Sequence, residues 1–247
     1  MQLGIEGRRA AVAASSQGLG FAVARALAAE GVRVAMCSRN REKIERAAAE
    51  VGSDAVPIVA DVSHADGAAG FVADARHALG GIDILVANAG GPPPGTFETT
   101  ALDAYAPAFE LNCLSTIAMC SEAVPAMRAQ RWGRVVGITS IAVRQPIPNL
   151  ILSNTARAGV TGFLKTLARE IASDGVTVNS LQPGSHATER MTALGGDPES
   201  AAAAVAAGEM GRPEDFGAIA AFLCSDAARF LTGAAIHVDG GAYAALL

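Results

Sequence analysis

Two serines and an arginine in the second half of the chain could together act on a carbonyl group: Ser140, Ser153 and Arg157. The serine hydroxyls can donate hydrogen bonds that polarise a carbonyl oxygen, and a guanidinium can stabilise the negative charge that develops there. Arginine keeps its proton at ordinary pH, so Arg157 cannot relay one. Asn112 adds a side-chain amide that could hold a water molecule as the proton source. These residue types could therefore act on a carbonyl group if the fold brings them together.

A phosphate-binding loop is indicated near the start of the chain. The first apolar run is followed by Ala14, Ser16, Gln17, Gly18, Leu19 and Gly20, which open directly into a helix. Gly18 and Gly20 permit a close backbone approach, and the helix N-terminus offers amide donors to a pyrophosphate. A Gly-x-Gly alone is a weak signal, but its position between the first strand and the first helix strengthens it. The alternative is a plain tight turn.

The end of the second apolar run predicts which dinucleotide this loop would hold. Ser38 and Arg39 stand there without a carboxylate that could bond the free 2′-hydroxyl of NAD, whereas Arg39 suits the 2′-phosphate of NADP. NADP(H) is therefore predicted ahead of NAD(H). The alternative is a solvated arginine at the start of a helix. Asp61 ends the third apolar run, at the same edge of the predicted sheet.

The elements that must position these residues alternate between strands and helices. Seven short apolar runs are predicted to be strands, and they end near Ala14, Cys37, Val59, Ala87, Ile138, Leu181 and Val238. Helical periodicity covers residues 19–30, 41–50, 66–79, 102–127, 150–173 and 214–223. This alternation predicts α/β architecture: a single-domain, Rossmann-type doubly wound parallel sheet over residues 1–247, with helices on both faces. Ligands are expected at the two long loops, residues 90–99 and 184–200.

Composition limits the classes of function. With 247 residues, a net charge of −5 and 51% hydrophobic residues, the chain is predicted to be globular. No basic face indicates nucleic acid binding, and no apolar stretch is long enough to span a membrane, so we expect a cytoplasmic protein. The four cysteines and four histidines lack the spacing of a metal site, which predicts that no metal is bound.

Together these motifs resemble those of the short-chain dehydrogenase/reductase family, over essentially the whole chain. The matching segments are residues 12–20, Asp61-Val62, Asn88-Ala89-Gly90, Asn112, Pro183-Gly184 with Thr188, and residues 238–241. The tract 158–170 looks most like bacterial 3-oxoacyl-[acyl-carrier-protein] reductases. The resemblance implies hydride transfer between NADP(H) and a carbonyl/alcohol pair, with most of these segments around the cofactor. It places Asn112, Ser140, Ser153 and Arg157 at the family's catalytic positions, which makes these four residues the predicted catalytic group, and it implies that Arg157 also binds the ribose of the cofactor. It also implies a homotetramer or homodimer.

The predicted substrate is a small apolar carbonyl compound or alcohol, with an acyl thioester as one form. The expected pocket walls, at residues 92–97, 143–152 and 185–194, are largely apolar and carry few charges.

Departures from the family pattern affect the predicted chemistry. The family places a tyrosine and a lysine where this chain has Ser153 and Arg157, and Ala14 replaces the first glycine of the phosphate loop. An alkyl alcohol is far less acidic than a phenol, so Ser153 cannot act as the tyrosine does. Proton transfer must therefore be atypical. His186, in the loop after the sixth strand, is a second candidate acid near the nicotinamide; the alternative is a polar loop residue.

We therefore expect an NADP(H)-dependent oxidoreductase, and two alternatives stay open. One is a degenerate reductase that binds NADP(H) as a sensor or oligomer partner, without turnover. The other resembles the halohydrin dehalogenases, which descend from this fold and use a serine, a tyrosine and an arginine without nicotinamide. The missing tyrosine and the retained Gly18 and Gly20 argue against the second alternative.

Overall fold

A sheet of seven parallel strands forms the centre of the computed structural model, which describes residues 2–193 and 197–246. The strands are β1 (Arg9–Val12), β2 (Arg33–Ser38), β3 (Val56–Val59), β4 (Ile84–Ala87), β5 (Gly133–Ile138), β6 (Val176–Pro183) and β7 (Ala235–Val238). Their order is β3-β2-β1-β4-β5-β6-β7. The chain therefore moves outward from β1 to β3 and then returns to place β4 on the other side of β1. Sheets of this kind bind ligands at this switch point, beyond the carboxyl ends of the strands.

Helices cover both faces of the sheet, as a parallel sheet requires. They are α1 (Gly18–Ala29), α2 (Arg41–Val51), α3 (Ala65–Leu79), α4 (Tyr105–Phe109), α5 (Ser115–Ala129), α6 (Ile151–Ile171), α7 (Glu189–Ala193), α8 (Pro198–Ala203) and α9 (Pro213–Leu223). Helices α3, α5 and α6 pack on one face, and α1, α2 and α9 pack on the other. The predicted doubly wound α/β fold is confirmed.

Two apolar cores, one on each face of the sheet, hold these layers together. In β1, Ala11 belongs to the first core, whereas Ala10 and Val12 belong to the second. This division follows from strand geometry, because successive side chains point to opposite faces. Phe71 in the first core and Phe216 in the second are fully buried, and burying a side chain of this size contributes about 1.5–3 kcal/mol. The two cores therefore hold the carboxyl edge of the sheet, where the ligand-binding loops are expected, in a fixed position.

One predicted helix is divided in the structure. The sequence pattern predicts a single helix over residues 102–127, but the chain forms a 3₁₀ turn (Leu102–Ala104), α4, a π-helical turn (Glu110–Leu114) and α5. A π turn inserts an extra residue and rotates the side chains that follow it. Asn112 lies in this turn and is buried. Hydrophobic periodicity carries no signal for such an insertion.

The outer strand β3 also differs from the expectation of strands covered on both faces. Its residues alternate between half-buried and exposed, and Val59 keeps 43% of its surface exposed. β3 is the first strand in the sheet order and pairs with one strand, β2, so less of its surface is covered than in a central strand.

Candidate active site

The phosphate loop between β1 and α1 depends on glycine at two positions. Gly18 has a φ of +60°, in the left-handed region. A Cβ on Gly20 would lie 2.6 Å from the Ala14 carbonyl oxygen and 2.8 Å from Asn88 Nδ2, which is closer than Cβ atoms come in proteins. Gln17, the residue before α1, makes no side-chain hydrogen bond to the helix. The first amides of α1 therefore remain available to an anion.

Groups beneath the loop brace it, and two of them carry no sequence signal. Asn88, which the Asn-Ala-Gly motif identified, donates from Nδ2 to the Ala14 carbonyl at 3.2 Å. Ser15 Oγ accepts from the Cys37 backbone N–H at 3.2 Å, and Cys37 Sγ accepts from the Ala14 N–H at 3.3 Å. Burial raises the pKa of the Cys37 thiol to about 12, so it stays neutral. Ser15 and Cys37 therefore tie the end of β1 to β2, a role visible only in the folded chain.

Ala14 adopts a backbone conformation that is unusual for alanine, with a φ of 47°. A residue with a Cβ is disfavoured there by about 1–2 kcal/mol relative to right-handed conformations. We predict that Ala14→Gly raises the free energy of unfolding by about 1 kcal/mol or less, because glycine's unfolded-state entropy offsets part of the gain. Urea denaturation measures this. Ala13→Gly is the matched control and should lower stability, since Ala13 is buried and has no such strain. Equal responses would contradict the assignment of strain to Ala14.

Two positively charged residues, Arg39 and Lys43, follow β2 on the side of the phosphate loop where the adenosine of a dinucleotide is expected. Ser38 ends β2, and Arg39 follows it with an exposed side chain. Burial acts to raise the pKa of Asp61, but hydrogen bonds and the charge of Arg39 outweigh this effect and lower the pKa. Lys43, from the first turn of α2, places Nζ 3.4 Å from Gln17 Oε1. Arg39 and Lys43 are therefore two cations after β2 that could bind a phosphate.

Asn112 lies beside a small cavity near the carboxyl ends of β4 and β5. Its Nδ2 donates to the Gly90 carbonyl at 2.8 Å, and its Oδ1 is buried with no hydrogen-bond partner in the described chain. A cavity of about 10 Å³, lined in part by Asn112, Thr139 and Arg157, adjoins it. This volume is close to what one water molecule needs. The unpaired oxygen fits the predicted water-holding role of Asn112.

Arg157 lies in the second turn of α6, and its guanidinium donates hydrogen bonds to backbone carbonyls at the carboxyl edge of the sheet. Nη1 donates to the carbonyl oxygens of Ile138 (3.0 Å) and Thr139 (3.1 Å), and Nη2 donates to that of Gly90 (3.3 Å). Burial, helped by the positive charge of Arg190, lowers the pKa of the guanidinium to about 10. Arg157 therefore stays charged at neutral pH, holds the ends of β4 and β5 together, and keeps two N–H donors for a ligand.

The two predicted catalytic serines occupy the same corner of the site. Ser140 follows β5, and its Oγ accepts from the Ala142 N–H at 3.1 Å, which leaves the hydroxyl hydrogen free to donate. Ser153 lies in the first turn of α6, which packs against the 3₁₀ turn Ile141–Val143 that Ser140 caps. The Ser153 hydroxyl has no hydrogen-bond partner among residues 2–193 and 197–246. Both hydroxyls can therefore donate to a substrate oxygen.

The loop after β6 returns the chain to the phosphate loop. The Gly184 N–H donates to the Val238 carbonyl at 3.0 Å, next to the pairing of Pro183 with Val238. A Cβ on Gly18 would lie 3.7 Å from Thr188 Cγ2. Thr188 therefore lies directly over the start of α1.

His186, in the same loop, is packed inside the protein. It is 4% exposed, its ring lies edge-on to that of Phe216 at 5.3 Å, and its Nδ1 is 3.2 Å from the Gly184 carbonyl oxygen. Burial lowers the pKa of the ring, which favours the neutral form. This environment does not support the predicted role of His186 as an acid near the nicotinamide. It is closer to the alternative, a loop residue without a catalytic role, and the ring contributes to the packing of α9.

The remaining predicted residues lie at the same edge. They are Ser16 in the phosphate loop, Leu19 in the first turn of α1, Val62 after β3, and Ala89 with Gly90 after β4. Leu194, predicted for the pocket wall, lies outside the described residues. Within the part that is described, no three His, Cys, Asp or Glu side chains are placed to hold a metal ion, and no helix is long and apolar enough to cross a membrane.

Arg190, in α7, falls in the predicted pocket wall 185–194, but the sequence analysis gave it no role of its own. Its Nη2 donates to the Pro92 carbonyl at 3.0 Å, which joins the loop after β6 to the loop after β4. Its position two residues after Thr188 was a weak signal for a site residue, because the loops 90–99 and 184–200 were both expected to bind ligands. Which of their side chains would meet depended on the tertiary fold.

A doubly wound sheet with a glycine-rich loop at β1–α1 and a polar corner at the ends of β4 and β5 defines a dinucleotide-binding class of protein. A family model described as enoyl-(acyl carrier protein) reductase matches residues 13–243. The chain belongs to the short-chain dehydrogenase/reductase family. The predicted family is thereby confirmed.

Similar proteins are oxidoreductases of this family. Dehydrogenase/reductase SDR family member 4 of Bos taurus is 33% identical over 244 residues, 96% of this chain and 88% of that protein. The 3-oxoacyl-[acyl-carrier-protein] reductase FabG of Vibrio cholerae is 30% identical over 242 residues, 98% of this chain and 99% of that protein. L-sorbose reductase from Gluconobacter frateurii, solved with NADPH and L-sorbose, has a TM-score of 0.92 at 30% identity and full coverage of both chains. The present chain is thus a family oxidoreductase, as predicted.

Proposed function

We propose that this protein transfers a hydride between NADP(H) and a carbonyl/alcohol substrate, by a proton route that uses no tyrosine. The observation that carries the proposal is a preserved cofactor half beside an altered catalytic half. Gly18 and Gly20 keep the phosphate loop open, and Asn88 braces it. Arg157, in the lysine position, bonds the carbonyl oxygen at the end of β5, and the helix that carries Ser153, in the tyrosine position, packs on the 3₁₀ turn that follows β5.

The residues present fit NADP(H) in shape and charge. The first amides of α1 are free for the pyrophosphate because Gly20 lets the helix start against the loop. Arg39 and Lys43 offer two cations to the 2′-phosphate, and Thr188 lies over the helix start. Bound NADPH supplies the hydride. The L-sorbose reductase complex supports this choice, since that protein was solved with NADPH.

The chain's own residues polarise the carbonyl and hold the water molecule that delivers the proton. Ser140 and Ser153 donate to the carbonyl oxygen, and Arg157 stabilises the negative charge that grows there as the carbon gains the hydride. A water molecule held by Asn112 donates one hydrogen to Oδ1 and the other to the substrate oxygen. The substrate oxygen takes that second hydrogen as a proton and becomes a hydroxyl, and the hydroxide left behind takes a proton from solvent.

We further propose a small or medium apolar substrate, with an acyl thioester as one form. The loop that faces the site contains three consecutive prolines, and Phe97 within it is 83% exposed. The relation to FabG supports the thioester form.

The proposed assembly is a homotetramer or homodimer in the cytoplasm. Large apolar side chains are exposed on the single chain, namely Leu102 at 86% and Phe230 at 100%. A second copy of the chain would cover such surface.

Turnover with NADPH tests the proposed function. A panel of aldehydes, ketones and acetoacetyl-CoA should show enzyme-dependent NADPH oxidation. Ser140→Ala should lower kcat about 10²–10³-fold, as expected for the loss of one donor to the developing oxyanion, with little change in NADPH affinity. Ser121→Ala is the control, because Ser121 Oγ bonds the Ile117 carbonyl on the exposed side of α5. No oxidation across the panel would contradict the proposal.

A second candidate function is NADP(H) binding without turnover. The observation in its favour is that Arg157 already uses three N–H groups on backbone carbonyls. This candidate predicts tight NADPH binding and no NADPH oxidation, and any reproducible enzyme-dependent oxidation excludes it.

A further inference from the structure

Two guanidinium groups meet at the loop that follows β4. Arg157 Nη2 donates to the Gly90 carbonyl at 3.3 Å, and Arg190 Nη2 donates to the Pro92 carbonyl at 3.0 Å. Arg190 also packs on Gly91, where a Cβ would lie 2.5 Å from its Nη2. A stretch of three residues therefore holds one cation from α6 and another from α7.

Neither guanidinium has an acidic partner among the described residues. The ion pairs found there all involve other arginines. The charge that acts most directly on Arg157 is the like charge of Arg190, which adds to the effect of burial in lowering its pKa. Arg157 is buried, and buried cations in proteins are normally paired; Arg190 is exposed and places a second positive charge beside it. In a chain with a net charge of −5, two unpaired cations at one ligand-binding edge indicate an anionic ligand.

The donors that remain are suited to a carboxylate. A guanidinium carries five N–H donors; Arg157 uses three of them on carbonyls, and Arg190 uses one. Arginine binds carboxylates through two parallel hydrogen bonds, and such charge-assisted bonds are the strong ones. Arg190 is also accessible to solvent, so a ligand can reach it.

We infer that the proposed substrate, apolar over the rest of its length, carries one carboxylate, which Arg190 binds at the loop after β4 while the carbonyl group faces Ser140 and Ser153. The inference rests on the proposed function, because it names the substrate class of the same site. The other possible source of an anion is the pyrophosphate of the cofactor, since Thr188, two residues before Arg190, lies over the phosphate loop. The experiment separates these two sources.

Calorimetric titration with an unreactive pair of probes tests the inference. NADPH binding is measured first, and the NADPH-saturated protein is then titrated with hexanoate and with its neutral amide, hexanamide. Hexanoate should bind at least about 10-fold more tightly than hexanamide. Arg190→Gln should abolish this preference, and Arg190→Lys, which keeps the charge, should retain part of it. Arg169→Gln is the control: it removes one exposed charge from α6, about 18 Å along the helix from Arg157.

Each result decides between defined outcomes. A hexanoate preference that is lost in Arg190→Gln and kept in Arg169→Gln supports the inference. Equal binding of the two probes, or an unchanged preference in Arg190→Gln, overturns it. A loss of NADPH affinity in Arg190→Gln with the preference intact assigns this arginine to the cofactor and also overturns it. If the wild type binds no NADPH, the proposed function fails, and the same titration of the cofactor-free protein decides whether the carboxylate site exists.

Discussion

Gly20→Ala should weaken NADPH binding by about 10- to 100-fold while leaving the protein folded. The added Cβ would lie 2.6 Å from the Ala14 carbonyl oxygen and 2.8 Å from Asn88 Nδ2. One contact is with backbone and the other is with the side chain that braces the loop, so relief requires the loop to move away from α1. The amides that would bind the pyrophosphate then lose their alignment. A fluorescence titration with NADPH measures the change.

The control for this prediction is Gly70→Ala, in the helix α3. No atom lies within 4 Å of a Cβ at that position, and alanine favours a helix interior by up to about 1 kcal/mol relative to glycine. Gly70→Ala should therefore keep NADPH affinity and gain slight stability. Unchanged NADPH affinity in Gly20→Ala would show that the cofactor does not bind at this loop.

Ser153→Tyr should raise the rate of carbonyl reduction by about 10²–10⁴-fold, the usual contribution of a placed general acid. Ser153 and Arg157 are four residues apart in α6 and therefore lie on the same face of the helix. A phenol at residue 153 would stand beside a buried guanidinium, whose charge lowers the pKa of the phenol and makes it a better acid. Steady-state oxidation of NADPH with acetoacetyl-CoA measures the rate.

The matched control is Ser153→Phe, which adds the same ring without the hydroxyl. It should be no faster than the wild type, and its NADPH affinity should equal that of the tyrosine variant. A phenylalanine variant as fast as the tyrosine variant would mean that the ring acts through packing. A tyrosine variant no faster than wild type would place residue 153 outside the reach of the substrate oxygen.

The fold could be predicted from the sequence because its signals are local. Each strand is a short apolar run, and most of the main helices have a clear period; Gly80, in the left-handed conformation that glycine favours, ends α3. The phosphate loop could be predicted for the same reason, since Gly18 and Gly20 stand in sequence between a strand and a helix. Asn88 and Asn112 were recognised from motifs, and the structure adds what they bond.

The features that could not be predicted from the sequence depend on contacts between segments that are far apart in the chain. Nothing in the sequence around Arg157 shows that its guanidinium turns to the carbonyls of Ile138 and Thr139. The reach of Arg190 to Pro92 spans 98 residues of sequence. His186 follows Pro183-Gly184, a motif that the family resemblance predicts to lie at the cofactor, yet its ring is buried against Phe216 in α9. Side-chain direction in a loop is set by tertiary packing, which residue type and spacing do not encode.

The central claim is that this chain has kept a working NADP(H) site while its catalytic residues changed, and a fluorescence titration with NADPH and separately with NADH tests it most directly. We predict micromolar binding of NADPH, with NADH at least about 10-fold weaker because Arg39 has no phosphate to bind. Arg39→Ser should remove most of that difference. Binding of neither cofactor, or equal binding of both, would contradict the account.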